Sequence, residues 1–280
     1  VLTDSRDYLA GNGLVRVLFQ VDQVVGIALA GVIIYAVGER TGLFINVASF
    51  LVSFVVIAAT LRKRPAPGEG SAEQSLIAEF RDGWRLVFDN PALRAMVLLG
   101  WGSAIFLIAP EAVALAYARA DGQSTSIGAA LMASLPAGAA IGAYVVGRMG
   151  PLRQVRSIVP LAVAACLPLL ATCVAPPWWA ALVLWFLSGL SQGFMIPLLA
   201  TVNLLSPAHF RGRVNGLAAA GFNIATASSF LLAGALADLT SPAVSLTVAG
   251  VIGLALVGLV HHAWPHGALR RAAASVYASR

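Results

Sequence analysis

Residues 11–31 read GNGLVRVLFQVDQVVGIALAG, and residues 214–234 read VNGLAAAGFNIATASSFLLAG. Aligned without a gap, the two share Asn-Gly-Leu, a Phe five residues on, and a closing Leu-Ala-Gly. Each is an apolar run long enough to cross a bilayer as a helix, which takes about 20 residues. The number of such runs between the two copies decides the architecture.

Composition supports reading them as spans. Of 280 residues, 59% are hydrophobic and 11% charged, against roughly 25% charged in a soluble domain. Mean hydropathy is +0.85. A soluble core could not hide this much apolar surface, so the partner is the lipid bilayer. The net charge of +6 and isoelectric point near 10.0 do not indicate nucleic acid, because the basic residues lie between apolar runs instead of on one domain face. Cys166 and Cys173 share one apolar run with no metal-type spacing, which suits small buried or lipid-facing side chains.

Eight apolar segments follow along the chain, at 14–37, 41–61, 92–117, 125–147, 157–175, 179–204, 214–237 and 242–264. They are continuous instead of alternating every second residue, so they predict helices and not a barrel. The expected fold is therefore an all-α polytopic bundle. Of the 18 Lys and Arg, 15 fall in one set of connections and two, Arg40 and Arg119, in the other, with Arg16 inside the first segment. The positive-inside bias makes the rich side cytoplasmic and puts both ends of this chain there. Pro176-Pro177-Trp178-Trp179 reads as a short turn with interfacial aromatics on the other side.

The longest connection has two parts. RKRPAPGEGS at 62–71 is polar and rich in Pro and Gly. Residues 72–90 then place Leu76, Ile77, Phe80, Trp84, Val87 and Phe88 at helical spacing, which predicts an amphipathic helix on the membrane surface or packed on another loop. Asn90-Pro91 fits a helix cap with a first-turn proline.

The two copies open segments one and seven, so the period is six helices. Such a period marks two halves of a transporter related by an axis along the membrane normal. By that symmetry the first-copy helix is fifth of six, and the chain is expected to be the last eight helices of twelve. The expected organisation is 1–61 as the end of the first half, 62–91 as the interdomain loop, 92–264 as the six-helix second half, and 265–280 as a cytoplasmic tail.

Three stretches resemble the bacterial exporter branch of the major facilitator superfamily, the branch with enterobactin-exporter-like and macrolide-efflux-like proteins. They are EFRDGWRLVFDNPALRAM at 79–96, APEAVALAYARADG at 109–122 and SPAHFRGRVNGLAAAG at 206–221. The resemblance covers essentially the whole chain. It implies proton-driven export of a small amphipathic molecule by alternating access, in the bacterial inner membrane, without a cofactor. VVGIALAG at 24–31 resembles the fifth-helix antiporter motif, with Gly26 and Gly31 matching and Ile27 standing where proline would be. GRMGPLRQVR at 147–156 resembles the second-half cytoplasmic loop motif, so Gly147 and Arg148 are gate candidates, as are Arg211 and Arg213. Arg148 could pair with a carboxylate, cap helix carbonyls, or serve only as an orientation signal.

Carboxylates inside a span are costly and mark function by default. Asp22, flanked by Gln20 and Gln23, could exchange a proton, fix a basic partner, or face water near the helix start. Glu111 follows Pro110 and could line the cavity or an outer gate, or reach water at the interface. Asp238 reads as an exposed helix-end charge. Gln20, Gln23, Gln192, Asn203 and Asn223 are the cavity-lining candidates. Gly26, Gly31, Gly138, Gly142, Gly189 and Gly193 are the helix-packing candidates, the last four as small-xxx-small pairs. Pro136 and Pro197 predict bends. His261, His262 and His266 read as interfacial basic residues in preference to a metal cluster. No nucleophile or metal spacing suggests an enzyme. A channel or a membrane interaction protein could share the composition, but the six-helix repeat favours alternating access.

Overall fold

The computed structural model describes Asp22, residues 25–26, 29–30, 32–33 and 36–60, then 76–207 and 210–262. The described residues up to Val37 are helical. Most of the predicted 14–37 segment lies outside the described residues, as do 61–75 and the tail from 263. Gly38 ends this first helix, with φ at +80°, a left-handed conformation that glycine adopts without steric penalty. Helix α1, Glu39–Thr60, follows at once.

Helix α2, Leu76–Asp89, is the predicted amphipathic helix, and part of its apolar side meets the spanning helices. It packs on two of the spanning helices, α3 (Pro91–Ala120) and α8 (Arg211–Leu239). Val87 is fully buried there, while Phe80 and Trp84 stay 55% and 42% exposed. The aromatic side chains make the seam: Trp84 stacks on Phe88 with centroids 4.2 Å apart, and both lie beside Trp101 of α3. Helical spacing alone could not distinguish a bundle surface from a lipid surface, since either takes an apolar face.

Asn90 separates α2 from α3 and caps α3 as expected. Its side chain accepts from the backbone N–H of Ala92 and Leu93, at 3.0 and 3.3 Å, satisfying two donors left free at a helix start. The remaining helices are α4 Thr125–Gly147, α5 Pro151–Leu170, α6 Trp178–Ser191, α7 Met195–Leu205 and α9 Pro242–His262. With α6 and α7 counted as one span, six spans from α3 to α9 pack together. Phe106, Trp185, Phe194, Leu198 and Leu246 are fully buried at their centre. Seven helices, including α1, are long and apolar enough to cross a membrane among the described residues.

Two spans differ from their predicted outlines. Helix α5 starts six residues before the predicted 157, because Pro151 suits a first helical position while Arg153 and Arg156 lower local hydropathy. The predicted 179–204 helix is broken by a 3-10 turn, Gln192–Phe194. Pro197 has no N–H to give the carbonyl four residues back, that of Gly193, which weakens α-helical bonding at this point. Helix α4 runs through Pro136 without such a break.

In lipid, helices gain little from burying apolar surface against one another, so contact rests on close packing and internal hydrogen bonds. The α4–α6 seam is built this way. A Cβ on Gly138 would fall on the Phe186 carbonyl oxygen, one on Gly142 on that of Leu190, and one on Gly189 on that of Leu135. At Gly193 it would lie 2.6 Å from the Gly142 carbonyl oxygen. Hydroxyls add bonds between helices: Ser188 donates to the Ala165 carbonyl at 2.7 Å, and Ser245 to that of Ala233 at 2.8 Å. Helix α3 is central, touching α8, α9 and α4.

Candidate functional site

At the arginine-rich end, the turn between α7 and α8 is a polar knot. Helix α7 ends with carbonyls that have no partner in their own helix. Arg211 supplies one: its Nε donates to the carbonyls of Asn203 and Ser206, at 3.1 and 3.3 Å. A cation at a helix C-terminus is also favoured by the helix dipole. The Asn215 amide donates to Asn203 Oδ1 at 2.7 Å, and Asn203 Nδ2 donates to the Leu199 carbonyl at 3.1 Å. The structure thus brings together two residues singled out from sequence, Arg211 and Asn203, and adds Asn215. That residue is the Asn of the repeated Asn-Gly-Leu, so the repeat itself was the signal for it.

Arg213 turns the other way, toward α2. Its guanidinium lies 3.9 Å from Asp82 and over the Phe210 ring at 5.3 Å. Both ends of the ion pair are about a third exposed, where such pairs contribute little. Helices α2 and α8 touch at Gly83, where a Cβ would lie 3.5 Å from Arg213 Cβ, an ordinary contact distance that does not require glycine. Arg148 sits over the ring of Tyr144, one turn before it, at 4.7 Å. The α4–α5 turn is closed instead by Gln154, whose amide donates to the Met149 carbonyl at 3.0 Å and that of Gly147 at 3.4 Å.

Interior candidates are more dispersed. Glu111 is half-buried on α3, directly after buried Pro110. Pro110 leaves the Phe106 carbonyl without its helical donor. Gln192, half-buried, opens the 3-10 break, and Asn223 is exposed on α8. Neither of these two side chains makes a hydrogen bond among the described residues. Asp22 is helical and exposed. Gln20, Gln23 and Gly31 lie outside the described residues. At Gly26, expected to permit close packing, a Cβ would meet nothing within 4 Å among the described residues.

The opposite end holds a contact that sequence reading missed. Asp121, just past α3, accepts at Oδ2 from the backbone N–H of Trp178, at 3.0 Å. Tyr117 donates its hydroxyl to the Pro176 carbonyl at 2.6 Å. The partners are 57 and 59 residues apart in sequence, so no local pattern announced them.

Trp101 is likewise visible only in three dimensions. Its indole N–H donates to the Ala218 carbonyl at 3.0 Å, and the ring occupies the space where a Cβ on Gly221 would stand.

This six-span bundle has matching relatives. The sequence fits the Major Facilitator Superfamily over residues 2–175 and, in an overlapping second match, over 112–264. It is 28% identical over 232 residues to the multidrug efflux pump Tap of Mycobacterium tuberculosis and to that of Mycobacterium bovis, covering 81% of this chain and 55% of theirs. The Tap protein of Mycolicibacterium fortuitum is 27% identical over the same length, with 56% of it covered. The chain thus spans a little over half the length of these curated relatives. With the family matched across nearly all of its length, the chain belongs to the Major Facilitator Superfamily, a family of multi-pass membrane transporters and not of enzymes.

Proposed function

We propose that this protein exports small amphipathic molecules across the bacterial plasma membrane by alternating access, driven by the proton gradient. Similarity to multidrug efflux pumps over 81% of the chain carries this reading. The packing of the six spans supports it. Glycine seams hold α4 against α6 and buried aromatics fill the centre, which suits a half that rocks as one body. The arginine-rich end faces the cytoplasm in this reading, as the positive-inside bias requires, and both ends of the chain lie there.

Residue roles follow from chemistry and position. Asp22 and Glu111 are the proton-coupling candidates, because a carboxylate within a span must gain from protonation or pairing. Gln20, Gln23, Gln192 and Asn223 are the polar lining. The Asn203 side-chain amide is engaged by Asn215 and its backbone carbonyl by Arg211, which makes it part of a latch at the cytoplasmic end instead. Gly147, Arg148, Arg211 and Arg213 belong to the same end, where the gate closes.

Efflux of fluorescent amphipathic compounds from cells making the full-length protein tests this directly. Gradient-dependent efflux is expected, abolished by a protonophore. Either Asp22→Asn or Glu111→Gln should lose the gradient dependence while the protein still reaches the membrane. Folded protein that moves no compound outward under any gradient would refute export.

A further inference from the structure

The arginine-poor end holds two bonds that no helix needs for its own ladder. Between α5 and α6 the chain passes through a 3-10 turn, Ala171–Val174, then Ala175 at φ 45°, then Pro176 and Pro177. A non-glycine residue in the left-handed region is strained and persists only where neighbours fix it. The two prolines offer no N–H. The Pro176 carbonyl and the Trp178 N–H, at the very start of α6, must therefore look beyond the turn for partners. Both find them at one place, the C-terminal end of α3, in Tyr117 of its last turn and Asp121 just past it. The carboxylate caps α6 from outside its own sequence, a role usually filled by the residue just before the helix.

A second observation gives this contact consequence. Pro110 removes a ladder bond in α3. The stretch from Pro110 to Ala120 therefore has a weakened point at one end and is fastened to α6 at the other. Glu111 stands at the weakened end. Tyr117 is also edge-on to buried Trp185 of α6, with centroids 5.6 Å apart, so this stretch bears on α6 at two levels.

We propose that Asp121 and Tyr117 are positioning residues, a clasp that fixes the last three turns of α3 on α6 and thereby sets where Glu111 stands. The clasp rests on the transport reading for its consequence but not for its existence. While it is closed, this stretch of α3 cannot pivot about Pro110 independently of α6. When it opens, the stretch and its carboxylate can turn.

The chain supplies its own reporter. Cys173 lies exposed in the 3-10 turn, three residues before Pro176, while Cys166 is buried. Maleimide labelling of the full-length protein in membranes, read by peptide mapping, follows Cys173 with Cys166 as the internal control. Amide exchange over 110–120 follows the α3 stretch. Asp121→Ala should speed both by about fivefold, the factor for one lost cap. Asp121→Asn, which keeps an acceptor oxygen, should restore the wild-type rates. Tyr117→Phe should act in the same direction as Asp121→Ala, and neither should speed exchange in α9.

Unchanged rates in Asp121→Ala would overturn the clasp, as would an Asn variant as fast as the Ala variant. Faster Cys173 labelling with unchanged exchange over 110–120 would also overturn it, by confining the effect to the turn. Efflux is then measured on the same variants. A lower kcat with unchanged KM in Asp121→Ala, restored in Asp121→Asn, is the expected consequence for Glu111. Normal efflux despite an open clasp would overturn the positioning role. If the wild type shows no efflux while the exchange pattern holds, the transport reading fails and the clasp stands.

Discussion

Helices α1 and α4 are both long, apolar and fit to cross a membrane, yet they are different objects in the structure. Half of the apolar window of α4 is buried inside the bundle, and none of that of α1 is. Phe44, Phe50 and Phe54 of α1 are each more than two-thirds exposed. Hydropathy tells that a helix prefers lipid to water, but not whether its side chains meet lipid or protein, since both are apolar. Among the described residues α4 lies between its neighbours, whereas the 14–37 segment next to α1 in sequence lies mostly outside them. Gly138 and Gly142 admit the backbone of α6, and α1 carries no glycine pair at that spacing.

One substitution made in both environments gives the sharpest break. Phe106→Ala, in the packed core against Gly253 of α9, should cost about 3–5 kcal/mol through the cavity it leaves. Phe50→Ala on α1 should stay within about 0.5 kcal/mol, as exposed positions do. Denaturant midpoints in detergent compare them, and equal losses would erase the distinction drawn here. Next comes the seam itself. Gly142→Val should destabilise by about 1–3 kcal/mol or more, because the obstacle is backbone that cannot swing aside. Gly147→Ala, where a Cβ meets nothing within 4 Å, should be neutral in the same denaturant titrations.

Smaller effects test the arginine-rich end. Asn215→Ala removes the amide that holds Asn203 and should cost about 1 kcal/mol. Faster amide exchange at the end of α7 would register it, and an unchanged rate would remove Asn215 from the latch. Asp82→Asn breaks an ion pair that is long and partly exposed, so its cost should be under about 0.5 kcal/mol. A loss of 2 kcal/mol or more at low salt would show that α2 hangs on this pair instead of on Val87 and its aromatic neighbours.

Much of the fold was legible because its signals are local. Seven apolar runs became the expected helices. Asn90-Pro91 was read as a cap and start, and the glycine pairs at 138/142 and 189/193 stood out by spacing alone. The docking of α2 was not legible. Its apolar stripe named a face but not the Trp101 indole it meets, which comes from the next helix and lies across α8. The 3-10 break fell three residues before the proline that weakens it, where nothing in Gln192 itself announces a turn.

The candidate site divides in the same way. Glu111 was singled out by being charged within an apolar span, and Arg211 and Arg213 by the motif SPAHFRGRVNGLAAAG, in each case a property of the residue and its neighbours in sequence. Asn203, a lining candidate by sequence, bonds to Asn215 and to the Leu199 carbonyl, because a side-chain amide takes whichever partners lie nearest in space.

By itself, then, the sequence determined what each segment prefers as its medium. It fixed that the chain crosses a membrane many times, which connections carry the arginines, and where glycine allows backbones to meet. Those are one-body properties, set by transfer energies and steric size within a single stretch. The tertiary structure alone decided which helices share a seam, that Trp178 is capped by Asp121 across 57 residues, and which apolar faces meet protein. Those are pair properties, and in a bilayer, where lipid and protein interiors are equally apolar, they depend on shape and on unpaired backbone groups that only a three-dimensional arrangement brings together.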